Sequence, residues 1–447
     1  MKMKGLITKT IVFLLAFNAI GARAQHDTCR VALMVPLYLE QVDRDFFDAE
    51  PSNRTLATKP FSFLHFYEGF MIAADSMANS RGMNVELKVY DVDSDIKKAD
   101  TAVIDPWLKT ADLIVGPFHL KPFNVVKQFA VENNIPIVNP ITQRSEIIDN
   151  QPNVIKVKPS MEGQLRPLDS LVKNYYHNNN IFIIRQNRYG DTAIINKINK
   201  IAERNIDSCA YVENSYIVKT IKKHQKRWKY LNVAFEKNDY LTDNVSLNVD
   251  SLSRCIDDTT VFYNKIININ YYRDSLNFVK DYASTMRNNL FIVYGSDKVF
   301  ANEIVNKVTK LTEYYPITVV MLPEWSKFTG LFNDNLMKMH AIYFDDNNID
   351  YQNIRVESFI CKFRNRYETE PSLQAYEGFD IGWYFLNALN VWGEYMMQYL
   401  PDFSIPLLHT HFYFQRNAEN SGYENTFWNV YQFKGYNKIV LNNDYEK

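Results

Sequence analysis

The chain has 447 residues, 46% hydrophobic and 23% charged, enough apolar mass for two or three packed domains or two large lobes. Fifty lysines and arginines stand against 51 acids, a net charge of −1, so no bulk electrostatic attraction points to nucleic acid or to an anionic membrane. Glycine occurs only 14 times while Tyr and Phe number 29 each, which excludes collagen-like, low-complexity and disordered classes and speaks against a glycine-rich phosphate cradle.

Residues 1–24 read as a secretory signal peptide. Lys2, Lys4 and Lys9 give the positive end, residues 11–20 (IVFLLAFNAI) the apolar run, and Ala22-Arg23-Ala24 the small residues of a cleavage site after Ala24. The apolar run is too short to span a bilayer, which takes about 20 residues. The expectation is an exported, periplasmic protein with no stable membrane insertion after cleavage. Cys29 follows His26-Asp27-Thr28 and lacks the small apolar neighbours of a lipidation site. The four cysteines (Cys29, Cys209, Cys255, Cys361) form no C-x-x-C; their pairing is open, and buried free thiols are as good a reading as a bridge.

Beyond this segment strand and helix patterns alternate. Residues 30–37 (RVALMVPL) are a buried-strand run. Leu64, Tyr67, Phe70, Met71, Ala74 and Ala78 recur at three and four spacing, which predicts an amphipathic helix. Strands follow at 85–91, 112–116, 136–139 and 154–157, with helices at 96–109 and 122–132 between them. This order implies a parallel sheet with right-handed crossovers and helices on both faces. A second such unit follows. Its helices are expected near 161–176, 192–204, 224–236, 275–285 and 299–311, and its strands at 181–184, 211–218, 290–294, 317–322 and 340–344. The polar stretch 238–258 reads as a loop excursion. Helices at 354–367 and 375–399 and strands at 410–415 and 428–433 close the chain.

Several tags in this order resemble a known family. They are the first strand, Phe63-Leu64-His65-Phe66-Tyr67-Glu68-Gly69, the strand 85–91, Asp112-Leu113-Ile114-Val115-Gly116-Pro117, Ile135-Pro136-Ile137-Val138-Asn139-Pro140 and Ala375-Tyr376-Glu377-Gly378-Phe379-Asp380. Together they look like the type I periplasmic binding proteins, the fold of leucine/isoleucine/valine receptors. The resemblance implies an α/β protein of two lobes, each a doubly wound, mainly parallel sheet with helices on both faces, joined by a three-crossover hinge. It places 28–158 plus 349–415 in lobe I and 159–346 plus 420–447 in lobe II. It also implies recognition without reaction, in which helix N-termini and hydroxyls hold a ligand beyond the carboxyl ends of the strands.

On that basis the candidate ligand-binding residues are Phe118, His119, Thr142 and Gln143 from lobe I and Arg188, Tyr189, Ser296 and Trp325 from lobe II. Five of these, and the loop residues Asp297 and Glu324 beside them, have a structural alternative: Phe118 packing under its loop, His119 starting a helix in solvent, Thr142 capping a turn, Arg188 at the surface, Asp297 capping the next helix, Glu324 and Trp325 packing a loop. Tyr376 and Asp380, one helical turn apart, read as core. Amino-acid receptors of this fold carry Ser or Thr soon after the third-strand glycine. This chain has Pro117, Phe118 and His119 there, which counts against a conventional α-amino-acid ligand.

Enzyme signatures are not found: no G-x-S-x-G elbow, H-E-x-x-H helix or P-loop. His409-x-His411 lacks a third metal ligand at a recognisable spacing, and the basic run 219–229 reads as a solvated face. The expectation is therefore no catalytic residue, no metal and no cofactor. Two functions remain. One is a solute-binding protein that closes its lobes on a small polar ligand such as an amino acid derivative or peptide, serving uptake or sensing with a membrane transporter or envelope protein as partner. The other is a periplasmic protein–protein adaptor or cell-wall synthesis regulator on the same fold.

Overall fold

The computed structural model describes residues 28–41, 61–186, 192–206, 209–212, 260–271, 275–323, 325, 328, 331 and 333–441. The expected signal segment with its expected cleavage site after Ala24, the basic run 219–229, the helix expected at 224–236 and the loop excursion expected at 238–258 lie outside them. The chain forms two compact units. The first ends at Lys158 and resumes over Ile349–Asn425; the second comprises Pro159–Asn348 and the C-terminal residues from Thr426.

In chain order the first unit opens with β1 (Cys29–Val35), α1 (Leu64–Arg81), β2 (Val85–Asp91) and α2 (Ile96–Ile104). It continues through β3 (Leu113–Val115), α3 (Leu120–Glu132), β4 (Ile137–Asn139) and β5 (Val154–Lys156). The second unit then runs through α4 (Leu165–Leu171), β6 (Asn180–Gln186), α5 (Thr192–Asn205), β7 (Cys209–Val212), β8 (Thr260–Tyr263) and β9 (Ile266–Tyr271). β10 (Asn289–Tyr294), α6 (Lys298–Leu311), β11 (Ile317–Leu322), α7 (Asn333–Lys338) and β12 (Ile342–Asp345) complete its main part. The chain returns to the first unit for α8 (Ile354–Tyr367), α9 (Leu373–Trp392), β13 (Phe414–Arg416) and β14 (Tyr423–Asn425). It ends in the second with β15 (Asn429–Lys434) and β16 (Asn437–Val440).

Each unit holds one seven-stranded sheet, β13-β14-β5-β4-β3-β1-β2 in the first and β16-β15-β12-β11-β10-β6-β9 in the second. Within these two sheets pairing is parallel except at β13–β14, β12–β15 and β15–β16, and β7 and β8 form a separate antiparallel pair. Alternate side chains of a strand point to opposite faces, and both faces here are buried. Val31, Leu33 and Val35 of β1 join the cluster with Phe66, Phe70 and Phe385 from α1 and α9. Ala32 and Met34 face Ala99, Phe123 and Val126 from α2 and α3. In β6, Phe182 and Ile184 pack with Ile304 and Val308 of α6, while Ile181 and Ile183 pack with Leu168 and Ile198 of α4 and α5. Two-sided burial is why these strands read as unbroken apolar runs.

Glycines set the crossing of α1 and α9. A Cβ on Gly69 would lie 1.9 Å from the Ala375 carbonyl oxygen, and one on Gly378 2.0 Å from that of Phe66, so the two helices touch backbone to backbone.

The structure departs from expectation in several places. The helix expected over 96–109 stops at Ile104 because Pro106 disfavours helical geometry at Asp105, whose carboxylate caps a short 3-10 turn at Trp107 instead. The helix expected to reach 399 ends at Trp392, where Gly393 takes φ +53°. The segment expected as a helix at 275–285 makes only a 3-10 turn and a single α turn, and β9 follows a stretch read as loop. The final passage between units comes after Asn425, so residues 420–425 belong to the first unit and not the second. The cause is β14, which pairs in parallel with β5. There the fully buried Lys156 ammonium lies 2.9 Å from the Glu424 carboxylate and donates to the Lys158 carbonyl. Desolvation draws the Lys156 pKa down and the Glu424 charge opposes it. Cys29 is a buried free thiol, its pKa pushed up to about 12 by burial and then by Asp112, and Cys361 is exposed and free.

Candidate ligand site at the strand tips

Parallel sheets present loops and helix N-termini beyond the carboxyl ends of their strands. In the first unit the loop after β1 is held by Asp91 at the end of the neighbouring β2. One Asp91 oxygen accepts the backbone N–H groups of Leu37 and Tyr38 at 2.8 and 3.0 Å, and the other accepts that of Leu39 at 2.8 Å. These bonds fix Tyr38 at φ +52°, a left-handed conformation that a bulky side chain adopts only under constraint. The Tyr38 hydroxyl thereby lies 3.0 Å from Nε2 of His119. His119 is the half-buried residue that starts α3, and its side chain does not cap that helix. Burial, with Asp93 and Asp91 behind it, raises the Tyr38 pKa, so the phenol stays protonated.

Beside this pair stands a small charge network. Lys98 Nζ lies 3.0 Å from Asp93, 3.5 Å from Asp91 and 3.6 Å from Glu40. Three carboxylates against one ammonium leave this rim negative.

The next tip follows β4. Asn139 is fully buried, and its Oδ1 accepts the N–H groups of Ile141 at 3.2 Å and Thr142 at 2.8 Å. The buried Thr142 hydroxyl accepts the Arg144 N–H at 3.3 Å, the turn-capping role foreseen as its alternative. Its own hydrogen has no acceptor among the described residues. Gln143 is half-buried on the same turn.

Other candidates belong to the cores. Phe118 is 1% exposed, set edge-on to Phe63 and Phe66 with centroids 5.0 and 4.8 Å away. In the second unit Trp325 is 2% exposed; its indole N–H donates to the Gly295 carbonyl at 2.7 Å and its ring lies edge-on to Phe300. Ser296 is exposed on the loop after β10. Asp297 caps α6 by accepting the N–H groups of Val299 and Phe300, both at 2.9 Å. Arg188, Tyr189 and Glu324 lie outside the described residues.

His409 and His411 do not form a metal pair on a strand, since β13 begins only at Phe414. The His409 ring is buried against Asp380, while His411 is exposed. Tyr376 and Asp380 are both buried, and Asp380 serves as an internal acceptor. Among the described residues no group of three or more His, Cys, Asp or Glu side chains is placed to hold a metal ion.

The structure thus brings His119 together with Tyr38, sets Thr142 and Gln143 on the adjacent β4 tip, and takes Phe118 and Trp325 away into packing. Sequence reading missed Tyr38, Asp91, Asp93 and Lys98. The acidic string Asp91-Val92-Asp93-Ser94-Asp95 at a strand end was the available signal. The assembled groups are donors, acceptors and fixed charges suited to holding a ligand.

Residues 71–233 match the receptor family ligand binding region. Among solved structures, a putative branched-chain amino acid ABC transporter protein from Rhodospirillum rubrum is 11% identical, with 93% of this chain and 100% of that chain covered and a TM-score of 0.58. An ABC transporter substrate-binding protein from Desulfitobacterium hafniense, solved with Leu, is also 11% identical, covered 93% and 100%, at a TM-score of 0.50. Full-length LpoA from Haemophilus influenzae is 11% identical, with 93% of this chain and 59% of LpoA covered and a TM-score of 0.50. No curated protein matches by sequence. At such identity the likeness speaks to the fold. Two mainly parallel seven-stranded sheets with helices, together with the ligand-binding-region match over 71–233, give this chain the fold of the type I periplasmic binding proteins.

Proposed function

We propose that the protein is a periplasmic binding protein that holds a small polar ligand without transforming it, for uptake or sensing with a membrane transporter or other envelope protein as partner. The observation that carries this reading is the Tyr38–His119 pair, held in a constrained backbone by Asp91 beyond the strand ends of a sheet whose chain matches a ligand-binding region. A protonated phenol and an imidazole offer hydrogen bonds. Glu40, Asp91 and Asp93 outnumber Lys98 beside them, so this rim favours the amine or amide end of an amino acid derivative or peptide over a free carboxylate.

Thermal-shift measurement against amino acids, short peptides, amines and sugars tests this. A ligand at 100 times its Kd adds about 2.7 kcal/mol, which raises Tm by several degrees. His119→Ala is expected to abolish the shift. If no compound shifts the wild type, the reading fails.

A second reading, a protein–protein adaptor, draws on the closure of other strand tips. Phe118 and Trp325 are spent on packing and Asp297 occupies the α6 N-terminus, so places where a small ligand would be gripped serve the fold instead.

A further inference from the structure

We propose that the groove between α1 and α8 of the first unit docks an amphipathic helix of a partner protein, one carrying acidic residues beside apolar anchors. This goes beyond the strand-tip site, which uses different residues. The groove is a cavity of about 720 Å³, with Ile72, Phe359, Phe379, Trp383 and Leu408 among its lining. Phe379 and Trp383, consecutive on one face of α9, stack with ring centroids 6.0 Å apart and planes within 10°; both stay half-buried rather than enclosed. Ile354 extends the apolar lining and is 73% exposed. Ile72, Phe359 and Leu408 form the groove's buried floor, and the solvated apolar surface offered to apolar anchors is that of Phe379, Trp383 and Ile354.

The rim supplies the sign of the partner. Arg355, Lys362 and Arg366 line it from α8, and Asp75 from α1. Arg366 is ion-paired with Asp75, which ties the two helices together at that point. Among the described residues the side chains of Arg355 and Lys362 make no ion pair, and both are exposed. Seven positions apart, they lie on one face of α8, about 10 Å from each other along its axis. Acidic side chains two turns apart on a docked helix have the same spacing, and its apolar residues at three and four spacing between them meet Trp383 and Phe379. This is the helix-in-groove mode, with affinity from the anchors and orientation from the charges.

The test is fluorescence anisotropy of the full mature chain with a labelled synthetic helical peptide bearing Glu at i and i+7 and Leu and Trp between them. Its scrambled and Lys-for-Glu versions serve as controls. The expected result is saturable, salt-sensitive binding of the Glu peptide alone. The double charge reversal Arg355→Glu/Lys362→Glu, at exposed positions, should weaken it at least about tenfold and admit the Lys peptide. Trp383→Ala should weaken it while leaving the salt sensitivity in place. No binding, equal binding of the scrambled peptide, or indifference to the charge reversal overturns the proposal. So does concentration-dependent dimerisation abolished by the same reversal, which assigns the groove to a second copy. Loss of ligand binding at His119 leaves these outcomes unchanged, so the two sites fail separately.

Discussion

Within the first unit, Oδ2 of Asp380 meets Nδ1 of His409 at 2.5 Å, and both residues are buried. The same carboxylate accepts the backbone N–H groups of Leu408 at 2.8 Å and His409 at 2.9 Å. One side chain on α9 therefore fixes the path of the segment leading to β13.

Asp380→Asn keeps the shape but loses the charge and an acceptor oxygen, leaving buried donors unmet. The expected loss is about 3 kcal/mol, read as a lowered urea midpoint at unchanged m-value. A loss below about 0.5 kcal/mol contradicts this role.

Glu68 gives a pH signature. Its carboxyl is buried, Oε2 has no hydrogen-bond partner, and burial raises its pKa from 4.5 to about 6. Between those values the folded state binds the proton more tightly than the unfolded chain, so stability falls as pH rises, and the full cost of about 2 kcal/mol stands above pH 6. His65, 3.8 Å away, has its pKa lowered by burial and works in the opposite direction as pH falls. Glu68→Gln isolates the carboxyl: it should stabilise at pH 7.5 and make little difference below pH 4.5. Denaturation at the two pH values checks this.

The α1–α9 contact predicts a sharp steric effect. Gly378→Ala would set a methyl 2.0 Å from the Phe66 carbonyl oxygen, so the helices must separate. A cost of about 3 kcal/mol or more is expected. Gly82→Ala meets no atom within 4 Å, though its φ of +64° disfavours any side chain; it should cost about 1 kcal/mol. Thermal denaturation of the two variants separates packing from backbone strain.

The sequence was legible where local pattern and burial agree. β1 and β10–β12 are apolar runs because both sheet faces are covered, and α1 shows its three and four spacing. β9 went unread because Asn268 and Asn270 interrupt its hydrophobicity, although Ile267 and Ile269 alternate with them as an edge strand should. β14 carries little local signal; its place depends on Glu424 meeting Lys156 across the sheet. At the strand tips, His119 and Thr142 could be nominated because their loops follow readable strands. Tyr38 could not, since its pose depends on Asp91 from another strand. Phe118 and Trp325 misled because an aromatic residue in a loop reads equally as wall or as core.

Native mass spectrometry of the protein with each ligand that shifts its Tm tests the central claim most directly. The account predicts a one-to-one complex in which the ligand mass is unchanged after prolonged incubation, and which disappears in His119→Ala/Thr142→Ala. Absence of any complex, survival of the complex in that variant, or conversion of the ligand to a product of different mass would contradict it.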